Sequence, residues 1–256
     1  VAVLTLALGI GANTAIFTVV NAVLLSPLPY PDADRLVMIN SRNFQENLKN
    51  LGFAPAGFRD VEKQVTSFEA FAATRYNYDN LTGVEKPTSL TGSVATQDYF
   101  QVLGERPLIG RTFTKEDGAP NAKATVVFSY DLWQKQFGGR REIVGQSITL
   151  NDVPTEVIGV MPRTFKDPFN VSSLWRILPN EGGENAVANA RFWSVIGKLK
   201  PGISSTTAQA EMTTIAARLA QSDPKFYKGW DFTISPLRDI VVGDYRQGLL
   251  LVVGAA

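Results

Sequence analysis

The first 25 residues, VAVLTLALGIGANTAIFTVVNAVLL, contain no charged side chain. As an α-helix this stretch would be about 37 Å long at 1.5 Å per residue, more than the roughly 30 Å hydrocarbon core of a bilayer requires. A secretory signal has a shorter apolar run and ends in a small-residue cleavage motif, whereas this run ends in Leu24, Leu25, Ser26 and Pro27. A membrane-spanning helix over 1–25 is therefore expected, ahead of a buried core helix or a cleaved signal. Ala7, Gly11 and Ala15 recur every four residues, with Thr14, Thr18 and Ala22 on a second line beside them. Small residues at that spacing let another helix backbone come close, which matters in lipid, where apolar surface alone gives no reason to associate. Asn13 and Asn21 carry amides that are costly against lipid and belong against protein or near an interface.

At the other end, residues 248–256 read GLLLVVGAA, again without charge. Nine residues are too few to span as a helix, so this segment is expected to be the first part of a second membrane helix, with a buried strand as the alternative. The chain starts on Val in mid-pattern, and both ends read as cut.

Between these ends, about 220 residues are too long and too apolar for a loop. The exit from the first span, PLPYPDAD, places Pro27, Pro29 and Pro31 within five positions and cannot be helical; it predicts a stiff connector. Leu36 to Asn40 predicts a strand, and Phe58, Val61, Val65 and Phe68 sit at helical spacing. Thr96 is placed to cap a short helix through Tyr99, Phe100 and Leu103 that ends on Gly104. Thr125 to Phe128 predicts a strand, followed by a helix capped by Ser129, carrying Trp133 and Phe137 and ending at Gly138 and Gly139. A hairpin follows, with Ile148 and Leu150 before a turn at Asn151 and Asp152, and Val153, Val157 and Val160 after it. Residues 165–189, rich in Gly and Asn, predict little regular structure.

Phe192 to Leu199 predicts a strand leading into the longest helix. There Thr206 and Gln209 have capping-box spacing and Ala208, Met212, Ile215 and Leu219 form an apolar stripe that stops before Pro224. A last strand is expected at Phe232 to Ser235. Strand followed by helix thus occurs early (36–68) and late (192–221), as in two related halves around an insert, and the class expected is antiparallel α+β.

The composition narrows the chemistry. With no His and no Cys, the chain has no imidazole proton shuttle, no Ser-His-Asp or Cys-His group and no thiolate zinc site. No G-x-x-x-x-G-K-[ST] occurs, and GIGAN lies within an apolar run where a dinucleotide-binding turn would not function. A net charge of +1 with scattered cations offers no field for a polyanion, so nucleic acid is not an expected partner. Asp32 with Asp34, Glu116 with Asp117, and Glu181 with Glu184 read as solvated loop charge in preference to acid–base pairs or calcium ligands. Arg140 and Arg141 complement a helix C-terminus, and Tyr76 and Tyr78 are expected on a packed sheet face in preference to a binding face. No catalytic, cofactor-binding or metal-ligating residue emerges.

Four long stretches carry a family resemblance: residues 6–37 (LALGIGANTAIFTVVNAVLLSPLPYPDADRLV), 100–117 (FQVLGERPLIGRTFTKED), 126–162 and 197–212. In that order they resemble the MacB/FtsX-like permeases of ABC transporters with their MacB-like periplasmic core domain, particularly bacterial permeases without a fused ATPase. The resemblance implies an α+β architecture in three parts: transmembrane helix 1 at 1–25, a mixed α/β periplasmic domain at 26–247 and the start of transmembrane helix 2 at 248–256. Within the periplasmic domain it implies a porter-like part at 35–104 and 191–240 and an inserted subdomain at 105–190. It further implies a bacterial inner-membrane location, a non-catalytic permease role, and ATP bound by a separate cytoplasmic ABC ATPase and not by this chain. Partners implied are that ATPase, a second permease copy as homodimer or pseudo-dimer, a periplasmic adaptor and the lipid bilayer.

Ala7, Gly11, Asn13, Ala15, Pro27, Pro29 and Pro31 are the residues expected to pack the first helix and to carry its motion outward. The competing reading is a membrane-anchored periplasmic binding or adaptor module with no ATPase partner.

Overall fold

The computed structural model describes residues 28–83, 86–169, 172–178 and 190–241, together with Gly11 and Gly243. Two strand–helix–strand units lie at the ends of this region. The first is β1 (Leu36–Asn43), α1 (Pro55–Glu62) and β3 (Phe68–Thr82), with a short β2 (Leu48–Leu51) between β1 and α1. After an intervening segment come β10 (Ser194–Leu199), α4 (Ser205–Ser222), a short α5 (Pro224–Tyr227) and β11 (Trp230–Pro236). Their strands interleave as β11-β1-β10-β3, all antiparallel, so each unit inserts a strand between those of the other. This is the arrangement of a split βαβ fold, interrupted between β3 and β10.

The intervening segment supplies β4 (Thr88–Ala95), α2 (Tyr99–Val102), β5 (Ile109–Gly110), β6 (Thr125–Phe128), α3 (Tyr130–Phe137), β7 (Ser147–Leu150), β8 (Val153–Val160) and β9 (Leu174–Ile177). The sheet continues through it in the order β3-β4-β9-β6-β8-β5. Most pairs are antiparallel as expected, but β4–β9 and β6–β8 are parallel. The strand β9 falls where little regular structure was expected. Its four residues show no alternation because Leu174 and Trp175 are both buried, and its ladder partners lie about 50–80 positions away.

Alternation along the central strands sorts the core into two layers. Val37, Ile39, Phe71, Ala73 and Val195 face α1 and α4, packing on Phe58, Val61, Met212 and Ile215. Leu36, Ala72 and Ile196 face the other way, onto Tyr99, Phe100, Phe165 and Trp175. Both faces are therefore buried, and side-chain period two decides which residue serves which layer. A third cluster, with Phe128, Trp133, Phe137 and Val157, fills the inserted segment.

Several local expectations hold. The Ser129 hydroxyl accepts from the Leu132 N–H and caps α3, which closes on Gly138 at φ 62°. Asn151 and Asp152 take φ 49° and 64°, the left-handed pair of a type I′ hairpin turn. Other expectations shift. Phe68 belongs to β3, because α1 ends at Glu62. The Thr96 hydroxyl accepts from the Ala73 N–H in place of capping α2. The cap of α4 is Ser204, not Thr206, and Gln209 spans to the edge strand β11: its Nε2 donates to Phe232 O and its Oε1 accepts from Ile234 N, each at 2.8 Å. Tyr76 and Tyr78 share one face of β3 but are 41% and 65% exposed, so that face is not packed.

Candidate functional site

The register of the edge pair sets the site. Val37 pairs with Pro236, so the strand that opens the domain and the strand that closes it meet at the same end of the sheet. The segments flanking them share one apolar cluster: Leu28, Tyr30 and Leu36 from the entry, Leu237 and Val241 from the helical stretch 237–241 at the exit.

The proline-rich connector is tied down at three points. Pro31 packs on Gly104, whose φ is +70° and where a Cβ would lie 3.2 Å from the Pro31 ring. Only glycine meets both demands at the end of α2. Asp32 adopts the left-handed conformation at φ 54°. Its Oδ2 accepts from Arg35 Nη2 at 2.6 Å and from Lys198 Nζ at 2.9 Å. Arg35 also donates to Glu69 Oε2 at 2.7 Å and to Leu199 O at 2.9 Å, so the entry is pinned to both β3 and β10. The hydrogen bonds from Lys198 and Arg35 hold the Asp32 carboxyl below the usual carboxylate range.

Tyr30 is the third anchor. It is buried between two exposed prolines, and its hydroxyl donates to Lys166 O at 2.6 Å. Burial, reinforced by the carboxylates of Asp167 and Glu105, pushes the phenol's pKa up, so it remains a donor at neutral pH. The loop that receives this bond is itself fixed by Asp167: Oδ1 accepts from Tyr99 OH and Phe169 N, both at 2.9 Å, and Oδ2 accepts from Trp175 Nε1 at 2.7 Å. Burial likewise raises the Tyr99 hydroxyl well above its ordinary value. A continuous path of directional bonds thus leads from the entry segment through Tyr30, Lys166 and Asp167 to α2 and β9.

Of the residues expected to carry helix packing and coupling, Pro29 and Pro31 lie in this connector and Gly11 is helical and exposed. Ala7, Asn13, Ala15 and Pro27 lie outside the described residues, as do most of 1–25 and all of 248–256. Among the described residues no helix is long and apolar enough to cross a membrane. Asp32, read from sequence as solvated loop charge, is exposed like Asp34 beside it but also pairs with Arg35 and Lys198. Asp117, read the same way, pairs with Arg111 at 2.6 Å. Tyr30, Lys166 and Asp167 carried no sequence signal beyond an aromatic residue lodged among prolines. The spacing of Asp32 and Arg35, three apart, is the local signal from which their ion pair could have been read, but only Asp34 was set beside Asp32.

The profile of the MacB-like periplasmic core domain matches residues 1–215. The chain belongs to that family. Its fold resembles the periplasmic region of MacB from Actinobacillus actinomycetemcomitans, with a TM-score of 0.58 at 19% identity, covering 88% of this chain and 98% of that one. It also resembles the extracellular domain of the noncanonic ABC-type transporter YknZ from Gram-positive bacteria, at TM-score 0.52 and 17% identity, covering 78% and 99% respectively. In sequence, 63 residues are 33% identical to the pyoverdine export ATP-binding/permease protein PvdT of Pseudomonas syringae pv. syringae (strain B728a). That match takes in 25% of this chain and 10% of the relative, so the chain spans about a tenth of the export protein's length there. Residues 1–215 accordingly carry a MacB-like periplasmic core domain.

Proposed function

We propose that this MacB-like domain is the extracytoplasmic half of a mechanical relay. A partner ATPase in the cytoplasm binds and hydrolyses ATP, the first membrane helix moves, and the proline-rich connector passes that movement into the domain to drive export. The observation that carries this reading is the pairing of Val37 with Pro236, which brings entry and exit to one end of the sheet and into one apolar cluster. Displacement of either flanking segment then acts on a shared, densely packed layer. Packed layers of this kind shift between discrete arrangements and do not deform smoothly.

Pro29, Pro31 and the anchors at Tyr30 and Asp32 suit that task, since a stiff connector transmits displacement that a Gly/Ser tether would absorb. The permease copies would pair through the small-residue face of Ala7, Gly11 and Ala15. The porter-like part (35–104 and 191–240) and the inserted subdomain (105–190) would move relative to each other through the Tyr30–Lys166–Asp167 path. No residue of the chain is assigned to catalysis.

The test replaces Pro27, Pro29 and Pro31 with Gly or Ser in the full protein reconstituted with its ATPase. Hydrolysis is expected to continue while transport falls. Unchanged transport overturns the relay, and an ATPase that neither binds nor responds to the permease favours a membrane-anchored binding module.

A further inference from the structure

Beside the Tyr30 anchor lies a groove of about 510 Å³, lined by the first turn of α3 (Ser129, Tyr130, Asp131), the loop carrying Arg163 and Lys166, and Ser173. Its charges are unevenly committed. Asp167 spends both carboxylate oxygens on Tyr99, Phe169 and Trp175. Asp131 faces Lys135 one helical turn on, at 3.9 Å. Arg163 and Lys166 are exposed and have no ion-pair partner among the described residues. The groove therefore offers a ligand two cations without an ion-pair partner among the described residues, together with nearby hydroxyls, against one exposed carboxylate, Asp131, that is only loosely paired with Lys135.

The location narrows the ligand. Lys166 O holds Tyr30, which is five residues from Leu25, where the expected span ends. Five residues reach at most about 17 Å, so the loop sits within reach of the headgroup layer on the membrane reading above, on which this inference rests. We infer that this groove binds a phosphoryl anion, carried either by an anionic phospholipid headgroup or by a soluble phosphate ester, through Arg163 and Lys166. A guanidinium takes two phosphate oxygens at once and a lysine adds a mobile point charge, so the pair suits a phosphodiester. Binding there would lean on the loop that grips Tyr30 and so make the relay sensitive to the lipid around it.

The test follows amide hydrogen exchange of 161–169 in the full chain. One arm uses nanodiscs of phosphatidylcholine alone or with phosphatidylglycerol; the other titrates glycerol phosphate onto detergent-solubilised protein, with no bilayer. Slower exchange of 161–169 in the phosphatidylglycerol discs is expected, and reversal by R163Q/K166Q, with about a fivefold loss of headgroup affinity per cation removed. Unaltered exchange in α4 shows that the variant is folded. Protection by glycerol phosphate but not by phosphatidylglycerol supports the site and assigns it to a soluble ester. No protection in either arm, or protection that survives R163Q/K166Q, overturns it. A chain that does not enter discs counts against the membrane reading, while the glycerol phosphate arm still decides the groove.

Discussion

The two layers flanking the central strands are built differently. Toward α1 and α4 the core is mostly apolar: Phe58 stacks on Phe71 at 5.4 Å, Phe53 on Phe232 at 4.9 Å, and the buried Trp193 indole N–H has no hydrogen-bond partner among the described residues. Toward the connector the aromatic residues are just as dense, with Phe100 against Trp175 at 5.5 Å, but polar atoms at their edges are paired. Tyr30 bonds to Lys166, and Tyr99 and Trp175 bond to Asp167. Apolar burial is non-directional and rewards area, whereas hydrogen bonds fix orientation. Both layers supply stability, and in the layer toward the connector more of the buried aromatic edges are fixed by hydrogen bonds, as the proposed relay would require.

The largest effects should fall equally on both layers. Phe58→Ala and Trp175→Ala should each cost about 3–5 kcal/mol, read from denaturant midpoints. Only Trp175→Ala should also speed amide exchange across 161–169, since it removes a donor to Asp167. Equal exchange in both variants would erase the distinction between the layers.

Asp167→Asn comes next. The carboxylate accepts three donors, and bonds to a charged group contribute about 1.5–3 kcal/mol each, of which an amide oxygen retains part. A loss of about 2–3 kcal/mol is expected, with loosened exchange at Tyr99 and at β9.

The sharpest comparison pairs two tyrosines with equally short bonds. Tyr30 donates to Lys166 O and Tyr227, under α1, donates to Asp60 Oδ2, both at 2.6 Å. Tyr30→Phe and Tyr227→Phe should lose similar stability, about 0.5–1.5 kcal/mol or somewhat more where the acceptor is charged. Transport per ATP hydrolysed should fall for Tyr30→Phe alone. A matching fall for Tyr227→Phe would mean that the connector layer holds no special role.

The smallest effect is electrostatic. Because Lys198 and Arg35 depress the Asp32 pKa below its unfolded value, its contribution to stability is full above the ordinary carboxylate range and fades as the pH drops through the folded value. Asp32→Asn should remove that portion of the acid-side loss, leaving a shallower fall in melting temperature below about pH 4. An unchanged acid limb would count against the Asp32 hub.

Legibility followed the range of each interaction. The hairpin at Asn151 and Asp152, the Ser129 cap and the stripe on α4 were readable because a turn, a cap and a helical face are each set within a few residues. The strand β9 was not, since its neighbours β4 and β6 are distant in the chain. The same holds for the site. Prolines 29 and 31 announce a stiff connector by themselves, but Tyr30 finds Lys166 136 positions away and Asp32 finds Lys198 on β10.

Taken alone, the amino-acid order determined an uncharged opening segment, a proline-rich exit, an α+β body without imidazole or thiol chemistry, and membership of the MacB-like periplasmic core domain family. Only the tertiary structure decided that the two ends of the body lie side by side, that Asp167 gathers α2, β9 and its own loop, and that Arg163 and Lys166 have no ion-pair partner among the described residues. Propensity and periodicity act over a few residues, whereas strand register and buried hydrogen bonds are set by which distant segments the chain brings together.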